Sequence, residues 1–290
     1  MNYNATTSPL ALAKCNIIYD NLRFECIYYP QTTLTPKERD ALFDTITTIN
    51  DGPGRVDFGI FRSTSTQQDR EAFLAKTMWC IVRDQSTPIG FIYNVDLGES
   101  LGKKLIHLGL VRLSSAEYKL IGMPYIALGF CHLLNFGPYL VTNITHWPAI
   151  IEIFYGLTID PYPRIRPNIF NMIFGKRSLI SDAYSAALQQ LIDSYIIPVL
   201  EKSINHIDKS TMTIENSLSA NTAGFQTLFE RLPKARYKTI NTYAKRQLGA
   251  ITESDGIHLR HDLIQIGSID AKCLTMPWVV KFMNKARFSG

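Results

Sequence analysis

Apolar residues along this chain either crowd into short runs or return every three or four positions, and turn formers divide the two patterns. "NLRFECIYYP" is rich in aromatic and β-branched residues and predicts a first strand, stopped by Pro30. In "TPKERDALFDTITTINDG" Thr35 stands as a cap, Pro36 fits the first helical position, and Glu38 completes a capping box. Leu42, Ile46 and Ile49 share one face of that helix, and Asn50-Asp51-Gly52 closes it. "QQDREAFLAK" predicts a short helix. Two apolar runs then flank the turn-like Asp84–Pro88, which predicts a β-hairpin. "KLIHLGLVRL" is a third strand of that series, and its near-continuous apolar character predicts a central place buried on both faces.

A short polar loop with one glycine, "SSAEYKLIG", leads from that strand into "MPYIALGFCHLL", a buried helix. "YLVTNI" is a further strand, and "HWPAIIEIFYG" a helix with Pro148 in its first turn. The order is thus antiparallel strands first, then a strand–helix–strand crossover. Pro161, Pro163 and Pro167 mark a boundary or an extended crossing segment. Beyond it, Tyr184, Leu188, Leu191, Tyr195 and Val199 keep helical spacing in one long amphipathic helix, which Pro198 should kink. "GFQTLFERL" reads as helix, and "GIHLRHDLIQIGSI" as a strand or hairpin arm.

Length and composition narrow this picture. The 290 residues suit one large domain or two ordinary ones, and 46% hydrophobic with 19% charged residues is globular. The five cysteines are scattered with no CxxC spacing, so neither a zinc site nor a disulfide framework is suggested, and reduced cytoplasmic thiols are expected. The N-terminus carries no signal-peptide pattern, and no apolar run is long enough for a membrane span. Residues 1–165 carry 14 Lys and Arg against 15 Asp and Glu, whereas residues 166–290 carry 16 against 10. The basic excess therefore lies wholly in the second part.

"WCIVRDQSTPIGFIYNVD" followed by "KLIHLGLVRLSSAEYKLIGMPYIALGF" resembles the GNAT superfamily of acyl-CoA-dependent N-acyltransferases. The resemblance spans roughly residues 20–160. It implies an α/β fold with a mixed, mostly antiparallel sheet flanked by helices. Residues 1–165 would form that core, and residues 166–290 a largely helical extension that packs on it or forms a lid. In such enzymes the loop after the central strand follows Arg/Gln-x-x-Gly-x-Gly/Ala and opens a helix whose N–H groups hold the CoA pyrophosphate. Here Lys119 stands at the Arg/Gln position, Gly122 at the first glycine, with Met123 beside it, and Pro124 at the last position. Proline brings no N–H, and lysine lacks the planar fork of arginine. Leu110, Val111, Arg112 and Leu113 are the implied main-chain contacts of the pantetheine arm. Tyr155 is the implied general acid at the thioester sulfur. The implied donor is acetyl-CoA, a longer acyl-CoA or an acyl carrier protein, with no metal. The acceptor is an amine on a small molecule or a peptide.

N-acylation at neutral pH needs a base for the incoming amine, and imidazole has a suitable pKa. His107 on the central strand is the first candidate, for the base or for ordering a water, and His146 before the next helix is the second. Each residue also has a plainer reading: Gly122 as relief for a tight turn, His107 as a hydrogen-bonded core histidine, and Tyr155 as a core aromatic. "ERLPKARYKTINTYAKRQ" holds Arg231, Lys234, Arg236, Lys238, Lys245 and Arg246 with Tyr237 and Tyr243 interleaved. It is a solvated basic face, a contact to the 3′-phosphate of CoA, or a surface for nucleic acid or an acidic protein. Two functions stand open: an acyltransferase, and a catalytically silent scaffold whose basic region binds such a partner.

Overall fold

The computed structural model describes residues 12–51, 65–113, 120–165, 181–201, 204–221, 234–244, 248, 252–254 and 257–289. Five strands run in sequence order as an antiparallel meander: β1 (Lys14–Tyr19), β2 (Leu22–Tyr28), β3 (Thr77–Asp84), β4 (Thr87–Ser100) and β5 (Lys103–Leu113). The short helix α1 (Pro30–Thr33), α2 (Pro36–Asn50) and α3 (Gln67–Leu74) lie between β2 and β3. The capping box opens α2 as the sequence predicts: Thr35 Oγ1 accepts from the Glu38 amide, and the Glu38 carboxylate accepts from the Thr35 amide at 2.8 Å. Thr66 and Asp69 build the same device at α3.

From β5 the chain crosses through α4 (Gly122–Phe136) to β6 (Tyr139–Thr145), which lies parallel to β5. The helix α5 (Pro148–Leu157) and the strand β7 (Ile159–Tyr162) follow. The rest of the described chain contributes α6 (Asp182–Leu191), β8 (Ile207–Asp208), β9 (Thr213–Asn221), α7 (Lys238–Tyr243), β10 (Thr252–Ser254), β11 (Ile257–Ile269), α8 (Pro277–Lys285) and β12 (Arg287–Ser289). The described part of residues 166–290 thus brings five strands as well as helices, and those strands enter the same sheet. β11 pairs with β6, and β12 returns to pair with β1. The order is β12-β1-β2-β3-β4-β5-β6-β11-β9-β8, with β7 and β10 also on β11. The fold is a mixed, mostly antiparallel sheet flanked by helices.

Each face of the sheet carries its own core. On one face Trp79, Ile81, Phe91, Tyr93, Leu105, Leu140 and Ile264 meet Leu42 and Ile46 of α2 and Ala187, Leu188 and Leu191 of α6. On the other, Ile17, Phe24, Met78, Ile92, Ile106 and Val141 meet α4, α5 and α8. The amphipathic helix expected to run on past Pro198 instead ends as α6 and continues in one π-helical turn, Ile192–Ile196. Proline lacks an N–H and its ring crowds the carbonyl four residues back. The Ile197 amide reaches the Ile192 carbonyl at 3.0 Å, one residue further than an α-helix allows.

Cysteines that look scattered in sequence come together. Cys15, Cys26 and Cys80 face one another across three strands, and Cys131 of α4 lies against them. All are free and buried, and the hydrogen bond that Cys15 donates to Cys131, together with burial, pushes the Cys15 thiol up. Among the described residues no group of His, Cys, Asp and Glu is arranged to hold a metal ion, and no helix is long and apolar enough to cross a membrane.

Candidate active site

The one parallel pair among the described strands is also the place where the sheet comes apart. β5 and β6 share rungs only from Leu105↔Leu140 to Leu108↔Asn143. Past Leu108 the strand β5 runs on to Leu113 against β4, and β6 runs on to Thr145 against β11. The two neighbouring parallel strands therefore part at their carboxyl ends, the place where crossover sheets commonly receive ligands.

The divergence has a local cause. Asn94 pairs with Leu108, but Ile92 pairs with Val111, so Gly109 and Leu110 together stand opposite Tyr93 as a β-bulge. A side chain on Gly109 would begin 2.3 Å from the Tyr93 ring and 2.7 Å from its carbonyl oxygen. Only glycine lets the strands approach so closely, and the bulge turns the rest of β5 away from β6.

Beyond the bulge, Leu110 packs with the first core and Val111 and Leu113 with the second. Arg112 donates to the Asn50 carbonyl at the end of α2, at 3.3 Å. Lys119 lies outside the described residues. Gly122 and Met123 are the first two residues of α4, and no side chain caps that helix. Pro124 takes the third position, where an amide would have no intrahelical partner, so the proline breaks no helix bond and leaves the N–H groups of Gly122 and Met123 in place. The α-carbon of Gly122 faces Ile153 of α5 and Trp278 of α8, and the Trp278 indole donates to the Gly156 carbonyl at 3.2 Å. Three helices thus converge at the start of α4.

His107 and Tyr155 occupy different surroundings. His107 sits on the shared part of β5, buried, with Nδ1 3.1 Å from Thr142 Oγ1 of β6 and its ring 4.1 Å from that of Tyr195. Burial lowers its pKa from the usual 6.5 to about 3, so it stays neutral. That placement favours a role in holding β5, β6 and the π-helical turn together. Tyr155, on α5, donates its hydroxyl to the Pro163 carbonyl and accepts from the Ile165 amide at 2.9 Å.

His146 directly follows β6. Its Nδ1 lies 2.7 Å from Oδ1 of Asp262 on β11, and both side chains are 11% exposed. No sequence spacing connects residues 146 and 262; only the β6–β11 register brings them together. Of the basic stretch, Arg236 meets Glu152 of α5 through both its amide and its guanidinium. Arg231, Lys245 and Arg246 lie outside the described residues, as does the expected helix "GFQTLFERL".

No family model matches the chain, and no curated protein does. Several solved structures are similar to part of it, among them the following two. One is a probable acetyltransferase of the GNAT family from Chromobacterium violaceum, at 15% identity and a TM-score of 0.27, covering 47% of this chain and 69% of that one. The other is an acyl-CoA N-acyltransferase from Pseudomonas aeruginosa, at 18% identity and a TM-score of 0.29, covering 49% and 90%.

Proposed function

We propose that this protein transfers an acyl group from a thioester, acyl-CoA or an acyl carrier protein, to an amine. The observation that carries the reading is the parting of β5 from β6 after a bulge at Gly109 and Leu110. An extended pantetheine arm fits such a gap. It takes the place of the missing strand and bonds to the main chain of Leu110–Leu113, as an added strand would. The N–H groups of Gly122 and Met123 and the positive end of α4 then face the diphosphate, and Lys119, three positions earlier in the sequence, is the expected cation. In this reading α6 and its π-helical turn cover the sheet face that carries His107, and residues 166–290 help to shape the acceptor side. Tyr155 protonates the leaving thiolate only if its hydroxyl turns away from the Pro163 carbonyl.

Calorimetry and thermal unfolding with acetyl-CoA, palmitoyl-CoA and free CoA test the proposal, together with release of thiol in the presence of amines. A donor at a hundred times its Kd should stabilise the protein by about 2.7 kcal/mol. No binding of any CoA species, with no turnover of acylated carrier protein, overturns it. Donor binding without turnover would instead mark a silent scaffold.

A further inference from the structure

The two faces of the sheet are covered by helices of opposite character. On the first face α2 buries Leu42 and Ile46 and turns Lys37, Glu38, Asp40 and Asp44 to solvent. On the second, α4 carries no Lys, Arg, Asp or Glu over its 15 residues. Its outward turns present Gly129, Phe130, Leu133 and Leu134, and Leu134 is 49% exposed. A helix apolar on every side is normally covered on every side. From this contrast we infer that the helical layer on the second face docks on the surface of a membrane rich in anionic lipid.

Apolar side chains from three elements make up that surface. Phe288 of β12 is 45% exposed, and its ring lies 4.9 Å from that of Phe130. Phe288 pairs with Ile17, whose side chain belongs to the second core, so it stands on the same side of the sheet as α4. The helix α8 buries Val279 and Phe282 and leaves Val280 exposed. Between α4 and α8 runs a shallow groove lined by Ile126, Gly129, Phe130, Leu133, Leu274 and Val279. Its volume is about 20 Å³, room for a water and too small for a ligand of its own.

The charge beside these side chains has one sign. Residues 271–290 hold Lys272, Lys281, Lys285 and Arg287 and no Asp or Glu. Lys281 is exposed next to Val280, and Lys285 follows one turn later on the outward side of α8. Among the described residues only Lys285 of the four meets a carboxylate, that of Asp20 at 3.9 Å. The remaining helix of the layer, α5, has a single acidic residue, Glu152, and Arg236 holds it.

A bilayer matches this chemistry better than a protein partner does. Gly129, Phe130, Leu133 and Leu134 offer no hydrogen-bonding side chain, whereas protein interfaces carry about one hydrogen bond per 100–200 Å². A membrane surface asks for apolar side chains that enter the acyl boundary and for cations level with the phosphates. Leu134, Phe288 and Val280 meet the first demand, and Lys281 and Lys285 the second.

Co-sedimentation of the full chain with sucrose-loaded vesicles is the test. The protein should partition onto vesicles of two parts phosphatidylcholine to one part phosphatidylglycerol, and added salt should weaken the binding. Phosphatidylcholine alone should bind it about tenfold less. Removing Lys281 and Lys285 together as glutamines should lower the partition coefficient about 25-fold, about fivefold for each cation. Leu134→Ser should lower it about fivefold. Lys37→Gln, on the charged cover of the first face, should leave it unchanged. If the double variant does not fold, Lys281→Gln alone carries the comparison with its fivefold loss. No binding to the anionic vesicles overturns the inference. So does binding that survives both the lysine variants and Leu134→Ser, or a loss in Lys37→Gln as large as theirs. If light scattering instead finds a dimer that Leu134→Ser dissociates, and the vesicles bind nothing, the face joins two copies of the chain and the membrane inference fails.

Discussion

Between Lys14 and Leu113 each strand pairs with the next strand of the chain, and three of the connections are two-residue turns, at Asp20-Asn21, Gln85-Ser86 and Leu101-Gly102. The pairings that tie the later part of the chain to the meander side are remote instead: Thr145 meets Leu263, and Ile17 meets Phe288. The buried side chains differ as well. The five meander strands bury Thr77, Asn94, Ser100 and His107 among them, whereas β6 alone buries Thr142, Asn143 and Thr145, and its partner β11 buries Asp262 and Gln265. Local pairing needs little besides apolar alternation and a turn. Remote pairing pays no turn-set register, so hydrogen-bonded side chains across the ladder supply it.

The largest effect is expected where the far end of the chain closes onto its beginning. Phe282 of α8 stacks on Tyr19 at 5.2 Å and meets Phe24 edge-on at 5.8 Å. Phe282→Ala should destabilise by about 3–5 kcal/mol, from lost burial and the cavity left behind. Urea unfolding monitored by fluorescence measures it. A loss below about 1 kcal/mol would show that β12 and α8 are dispensable and that the meander stands alone.

Acid should strike the seam next. His107 joins β5 to β6, and His132 of α4 lies between Tyr28, at 2.5 Å, and Asn94, at 2.9 Å. Burial lowers the pKa of each from 6.5 to about 3, whereas the unfolded chain keeps the ordinary value. The unfolded state therefore binds more protons between those values. Stability from each histidine is whole above pH 6.5 and is lost as pH falls toward 3, by up to about 1.4 kcal/mol per pH unit. From pH 6.5 to 4 that is about 3 kcal/mol per histidine. Unfolding at pH 7, 5.5 and 4 measures the slope, and His107→Gln should reduce it by one proton. An unchanged slope in that variant would mean that His107 is not neutral in the fold.

How legible each region was follows the same division. The hairpin, the central strand and the capping box of α2 could be read because their determinants lie within a few residues of one another. β1 escaped because Ile18, on its outward side, interrupts the alternation of Cys15, Ile17 and Tyr19. β11 shows its alternation, but nothing in "HLRHDLIQIGSI" says that it lies beside β6. Of the candidate site, Gly122 and the strand before it were visible, and His146 was visible as a histidine before a helix. Asp262 was not, since its partner is set by a register that the sequence does not display. The bulge was hidden too: Gly109 reads as a strand glycine until Tyr93 is placed against it.

The register-setting pair itself can be broken. Asn143 Nδ2 donates to Gln265 Oε1 at 2.9 Å, both buried, and Gln265 Nε2 has no partner among the described residues. Asn143→Leu should cost about 1–3 kcal/mol, because it strands the whole Gln265 amide away from water. The double variant Asn143→Leu, Gln265→Leu should recover most of that loss, which a double-mutant cycle measures. If the double variant is as stable as the parent but its β6–β11 amides lose exchange protection, the pair sets register rather than strength. If the single variant is neutral, remote pairing here does not depend on polar partners.

The meander, by contrast, should tolerate change and even gain from it. Leu101 and Gly102 form the turn between β4 and β5, and both have positive φ, 51° and 73°. Glycine accepts that conformation readily, but leucine holds its side chain too close to the following carbonyl. Leu101 is also 67% exposed, so its side chain gains little from packing. Asparagine favours the first position of such a turn. Leu101→Asn should therefore stabilise by up to about 1 kcal/mol, seen as a higher urea midpoint with the same slope. A destabilised variant would show that Leu101 makes a contact worth more than its backbone strain. The turn would then depend on the rest of the fold, and the division between a locally specified meander and a remotely specified seam would fail at its simplest point.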